Sequence, residues 1–102
     1  MGHATLHVHS KELVVVPVNE VDSTGIDRFR SQIMNAVARD PHRLVVEASD
    51  LKFICSEGLG VLVVAMLEQR DAGREMCIRN PSPMLRDVLA RTRLDVVLMI
   101  CG

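Results

Sequence analysis

The sequence predicts a small α/β domain, with a mixed central sheet of four to five strands and helices packed mainly on one face. Three observations carry that expectation. Short apolar runs alternate with stretches of helical periodicity. Residues that start and stop helices stand at the junctions between them. The chain has 102 residues, 48% hydrophobic and 25% charged, which suits one domain over residues 1–102 with a modest core. Strands separated by helices need crossover connections, and these are right-handed.

Residues 4 to 9 alternate, with Leu6 and Val8 among His7 and His9, and predict a first strand. Leu13 to Val18 is a β-branched run and predicts a second, with an edge or bulge at Pro17. Thr24 followed three residues later by Asp27 resembles a capping box. Ile26, Phe29, Ile33 and Val37 then share one stripe of a helix over residues 25 to 38, which Asp40-Pro41 ends. Arg43 to Ala48 reads as an interior strand. A second helix is expected from about Glu57 to Ala72, with Gly73 as its stop. Met76 to Ile78 is a short strand. Asn80 and Pro81 are expected as N-cap and first residue of a third helix, with Met84, Leu85, Val88 and Leu89 on its buried face. Leu94 to Ile100 closes the chain as a strand or short terminal element.

Composition excludes several function classes. Net charge is -1, and Phe29 and Phe53 are the only aromatic residues, so neither a basic stripe nor a stacking platform for nucleic acid is present. The apolar run from Leu59 to Leu67 is too short to span a bilayer. The first ten residues lack the pattern of a signal peptide, and Leu6 breaks that of myristoylation. Cys55, Cys77 and Cys101 are odd in number and widely spaced. That suits a reducing cytoplasm and argues against a disulfide framework or a zinc site.

The stretch FICSEGLG, residues 53 to 60, places a thiol, a hydroxyl and a carboxylate at the mouth of an apolar helix. Ser56 as N-cap and Glu57 in the first turn would be a purely structural arrangement. Cys55 as a nucleophile would need a base, and His3, His7, His9 and His42 fall in no recognisable catalytic motif. Ser56 as a phosphorylation switch would use the backbone N–H groups and dipole of a helix start. The helix itself adds a clue. Leu59, Leu62, Val63 and Met66 suffice to bury one face, yet Val61, Val64 and Ala65 lie on the other side. They mark a partner surface, unless the third helix or the chain terminus covers them.

Three stretches carry a family resemblance. LVVEASDLKFICSEGLGVLV, residues 44 to 63, resembles the central region of STAS domains of the bacterial anti-sigma factor antagonist kind, whose motif reads Asp-Ser-Ser-Gly or Asp-Ser-Thr-Gly followed by Leu-Gly. VNEVD at 18 to 22 resembles that family's Gly-Glu-Leu-Asp turn, and NPSPMLRDVLARTRLDVVL at 80 to 98 its Asn-x-Ser-Pro helix and closing segment. The resemblance implies a cytoplasmic, non-enzymatic regulator of sigma-factor-dependent transcription, without cofactor or metal. It implies binding to an anti-sigma factor that is a GHKL-type serine kinase, loss of binding on phosphorylation of Ser56, and reversal by a PP2C-type phosphatase. Asp22, Cys55, Glu57, Gly58, Leu59, Val61 and Val64 would then face the partner. The chain departs from the motif where Cys55 replaces Asp and Glu57 replaces the second Ser or Thr. Glu47 stands at a strand-end Asp, and Asn19 and Arg93 stand at Gly positions.

Two further classes remain. One is a STAS domain that binds a protein or small ligand without phosphorylation. The other is a thiol sensor acting through Cys55. His7 and His9 on one side of a strand are read as surface residues, the methionines Met34, Met66, Met76, Met84 and Met99 as core filler, and Arg86, Arg91 and Arg93 as a solvated helix end.

Overall fold

The computed structural model describes residues 12–101. The strand expected over residues 4 to 9, with His7 and His9, lies outside them. The elements are β1 (Glu12–Val15), β2 (Glu20–Val21), α1 (Ile26–Ala38), β3 (Arg43–Glu47), β4 (Phe53–Ile54), α2 (Ser56–Asp71), β5 (Glu75–Arg79), α3 (Pro83–Thr92), a 3-10 turn (Leu94–Val96) and β6 (Ile100–Cys101). The main sheet has the order β1-β3-β5-β6, and every described pairing in it is parallel. The second strand is therefore shorter than the Leu13 to Val18 run. Beyond Val15 the chain leaves the ladder, and Pro17, which has no N–H to donate, lies in the irregular segment that follows. The closing segment resolves into a 3-10 turn and a two-residue strand.

The sheet's helix-facing side is set by alternation along the strands. Leu44 and Val46 on β3 and Met76 and Ile78 on β5 join one buried cluster with Phe29 and Ile33 of α1, Leu62 and Ala65 of α2, and Leu85 and Leu89 of α3. Val45 and Cys77, paired in register, point the other way. With two aromatic residues in the chain, close packing is achieved by branched aliphatic side chains, and Phe29 is the one aromatic ring in the described core.

Local chemistry explains three helix ends, and two expected caps move. At α1 the cap position is Gly25, with no side-chain cap bond, so the Thr24–Asp27 capping box does not form. Asp22 does that work from further back: its Oδ1 accepts from the Thr24 N–H at 3.0 Å, the Thr24 hydroxyl at 2.7 Å and the Gly25 N–H at 2.9 Å. At α3 the N-cap is Ser82 rather than Asn80, and Pro83 rather than Pro81 takes the first turn. The Ser82 hydroxyl accepts from the Leu85 N–H and donates to the Leu51 carbonyl at 2.7 Å, so the cap is also tied to the core. At α2 the stop is as expected: Gly73 adopts φ 73°, and its N–H and that of Arg74 reach the carbonyls of Arg70 and Gln69. Gln69, 1% exposed, ties this end down by donating to the carbonyls of Pro41 and Glu75.

Cys77 and Cys101 form a disulfide between β5 and the edge strand β6, with Cα atoms 5.9 Å apart. The spacing in sequence argued against such a bond. The parallel pairing Arg79↔Cys101 sets the two residues diagonally across neighbouring strands, a proximity that only the sheet creates. Met99 is 60% exposed and is not core filler, unlike Met76, which is buried. No described helix is long and apolar enough to cross a membrane.

Candidate functional site

The short parallel pair β2–β4 assembles the site. Its register, Glu20↔Phe53 and Val21↔Ile54, sets the turn that begins at Asp22 beside the residues that begin α2. The Cys55 N–H donates to the Val21 carbonyl at 2.8 Å, which fixes the entry to the helix. Asp22 and Cys55 are thus neighbours in space although 33 positions separate them. The Asp22 carboxyl is held below its ordinary value, chiefly by the Thr24 hydroxyl and then by the N–H groups of Gly25 and Thr24.

The N-cap of α2 is Cys55, extended at φ -80° and ψ 169°, and its side chain makes no cap bond. Ser56 is one residue further on, inside the first turn and exposed. The capping role expected of Ser56 is therefore not the one it has. Its hydroxyl sits at the positive end of a 16-residue helix without being the cap. Glu57 follows, also exposed, and Cys55 is a free, partly buried thiol.

Among the described residues the one histidine, His42, stands away from Cys55. His42 lies where its carbonyl accepts from the Glu75 N–H, at the end of the sheet to which α2 returns. A helix of this length spans ~24 Å, and Cys55 is at its other end. No group of three metal-ligating side chains occurs among the described residues.

The helix carries less free apolar surface than its periodicity implies. Val61 and Ala65, expected on the open side with Val64, are buried at 7% and 0% exposure. The cover is α1, which packs along α2, rather than the third helix or the chain terminus. Gly58 and Leu59 are buried as well. Gly58 is glycine for an internal reason: a Cβ there would meet Ile54 Cγ1 at 2.7 Å and Val21 Cγ1 at 2.9 Å. What stays exposed beside Ser56 is Glu57, Gly60 and Val64, the last at 48%.

These residues form one wall of an open groove of about 310 Å³ between the two helices, with Arg30 and Met34 of α1 as the other wall and Val61 at its base. Arg30 and Gly60 were not singled out from the sequence, and Met34 was read only as core filler, whereas it also lines this groove. The available signal was Gly60 itself, a glycine inside a helix, where it costs ~1 kcal/mol relative to alanine. Unlike Gly58, it has nothing within 4 Å of where a Cβ would stand.

The STAS domain family model matches residues 3–101 of the chain. The fold is similar to the unphosphorylated form of the anti-sigma factor antagonist SpoIIAA, at 22% identity over 91% of this chain and 82% of that one, with a TM-score of 0.74. It is also similar to the phosphorylated form of the Bacillus cell fate determinant SpoIIAA, at 22% identity over 91% and 85%, with a TM-score of 0.68. A Thermotoga maritima protein assigned provisionally as an anti-sigma factor antagonist matches at 22% identity over 85% and 77%, with a TM-score of 0.73. No curated protein sequence matches.

Proposed function

The chain belongs to the STAS domain family, and from that premise we propose that it is an anti-sigma factor antagonist switched by phosphorylation of Ser56. In the unmodified state it binds an anti-sigma factor of the GHKL serine-kinase type in the cytoplasm and so releases a sigma factor. The kinase transfers phosphate to Ser56 and the complex separates. A PP2C-type phosphatase restores it. The whole unit over residues 1–102 serves this single purpose, with Asp22, Cys55, Glu57 and Val64 at the contact and Gly58, Leu59 and Val61 supporting them from beneath.

The observation that carries this reading is the position of Ser56. It is exposed in the first turn of α2, is not the cap, and directly precedes Glu57, which lines one end of the open groove. A phosphate there adds nearly two negative charges and three hydrated oxygens where a partner must make van der Waals contact. The two SpoIIAA structures with this fold, one unphosphorylated and one phosphorylated, support a switch of this kind. Cys55 in the place of the motif Asp removes the carboxylate usually next to the acceptor, while Glu57 sets one on its other side. Phosphorylation is then slow or kinase-selective, and Cys55→Asp accelerates it.

The test is the mass of peptides spanning Ser56 from protein purified from its own host, with pull-down by wild type, Ser56→Ala and Ser56→Asp. A phosphate on Ser56, and a kinase retained by Ser56→Ala but not by Ser56→Asp, is expected. An unmodified Ser56 under growth and stress alike, with equal binding by both variants, would replace this reading with a binding module that has no switch. Oxidised Cys55 in the same spectra would favour the thiol sensor.

A further inference from the structure

We propose that the groove between α1 and α2 receives a basic amphipathic helix of the protein partner, with apolar side chains seated over Gly60 and lysine or arginine side chains reaching the carboxylates along α2. This rests on the partner-binding role of the Ser56 face and states the chemistry of what docks there.

The argument begins with the exposed face of α2. At 100° per residue, Glu57, Gly60, Val64, Leu67, Glu68 and Asp71 fall within about one third of the helix circumference, and each is exposed. Apolar positions occupy the middle of that stripe and acidic ones its ends. None of the three carboxylates has an ion-pair partner among the described residues. The described pairs are Arg30–Asp27, Arg43–Glu12, Arg79–Glu12 and Arg91–Asp87. Across the groove, Arg30 is held by Asp27 at 3.0 Å, so that wall adds little net charge. An apolar trough with uncompensated negative charge along one side is the complement of a helix with apolar residues on one stripe and cations beside it.

Gly60 supplies the second, independent observation. Its cost to the helix is not repaid by any contact inside the chain, since the space above it is open. A flat place in a helix surface permits close approach of a partner side chain or backbone. The phosphate on Ser56 would lie at one end of this trough. Its hydration and bulk oppose close contact even though its sign attracts cations.

The experiment uses 15N-labelled full-length protein and an 18-residue amphipathic peptide of lysine and leucine, beside an analogue with glutamate for lysine. The lysine peptide should shift the amide signals of Glu57, Gly60 and Val64, and its affinity should fall steeply with added salt. Gly60→Leu should abolish binding while preserving the spectrum of the fold. If it does not fold, Val64→Lys serves the same purpose on a side chain that is already exposed. The triple variant Glu57→Gln, Glu68→Gln, Asp71→Asn should bind about tenfold more weakly. Equal binding of the glutamate analogue, signals moving on another face, or unchanged binding by the groove variants would overturn the proposal. So would movement of the same signals with protein concentration alone, which would assign the groove to a second copy of this chain. The assay does not use phosphate, so an unmodified Ser56 in cells would fail the switch and leave the groove standing. A failed titration beside a phosphorylated Ser56 would do the reverse.

Discussion

Gly58 and Gly60, two residues apart on one helix, make a matched pair in which only the surroundings differ. Replacing either by alanine removes the same conformational freedom from the unfolded chain and raises helix propensity by the same ~1 kcal/mol. At Gly60 nothing opposes that gain, because the new Cβ enters open space. Gly60→Ala should therefore be more stable than wild type by about 0.5–1 kcal/mol. At Gly58 the new Cβ would lie 2.7 Å from Ile54 Cγ1 and 2.9 Å from Val21 Cγ1, both well inside contact distance. Ile54 and Val21 are paired strand residues, 6% and 0% exposed, so neither side chain can swing into solvent. Relief requires α2 to move away from the β2–β4 pair, an overpacking cost of about 1–3 kcal/mol. Because the propensity term cancels, the difference between the two variants isolates the clash. About 2 kcal/mol separates melting temperatures by roughly 10 °C in a domain of this size. Urea and thermal unfolding followed by circular dichroism would measure both. Gly58→Ala equal to or more stable than Gly60→Ala would refute the assignment of Gly58 to internal packing and of Gly60 to an open surface. The same comparison bears on function, since Gly58→Ala shifts the helix that carries Ser56, whereas Gly60→Ala leaves it in place.

Other outcomes follow from the turn before α1 and from the sheet edge. The Asp22 carboxyl has a folded pKa below its unfolded value. Its contribution to stability is therefore complete above the ordinary aspartate range and is lost as pH falls through the depressed folded value. An NMR titration should place the Asp22 midpoint below that of an unfolded aspartate, and Asp22→Asn should remove that part of the acid sensitivity. A midpoint at or above the ordinary value would contradict the three hydrogen bonds drawn to Oδ1. The Cys77–Cys101 bond closes a sequence separation of 24 residues. Under oxidising conditions Cys101→Ser should lower stability by about 3.5 kcal/mol by the chain-entropy argument, and the loss should vanish when wild type is reduced. A variant as stable as the oxidised wild type would show that the edge strand is held by its ladder alone.

Much of this protein is written in local patterns. Helical stripes such as Ile26, Phe29 and Ile33 predicted which face of α1 is buried. Gly73 marked the end of α2, because the left-handed backbone it adopts there favours glycine. The order of strands and helices, and with it the fold class, follows from these signals because each reports on its own few residues. The Ser56 motif was visible in the same way, as a run of residue types at a helix start.

The tertiary structure decided the rest, because the deciding contacts join distant parts of the chain. No periodicity shows that α1 covers Val61 and Ala65, so the open apolar face of α2 was read as wider than it is. Nothing in the spacing of cysteines shows that β6 runs beside β5. Caps shifted by two residues at α3, since Ser82, unlike Asn80, can reach both the Leu85 N–H and the Leu51 carbonyl. Two glycines two residues apart on one helix acquired opposite meanings once Ile54 and Val21 were seen packed beneath one of them. The pairing of β2 with β4, two residues each, set Asp22 beside Cys55, a proximity that local patterns do not contain. Local propensity acts over a turn or two of chain, whereas packing against sequence-distant neighbours settles which of the resulting surfaces remain in water.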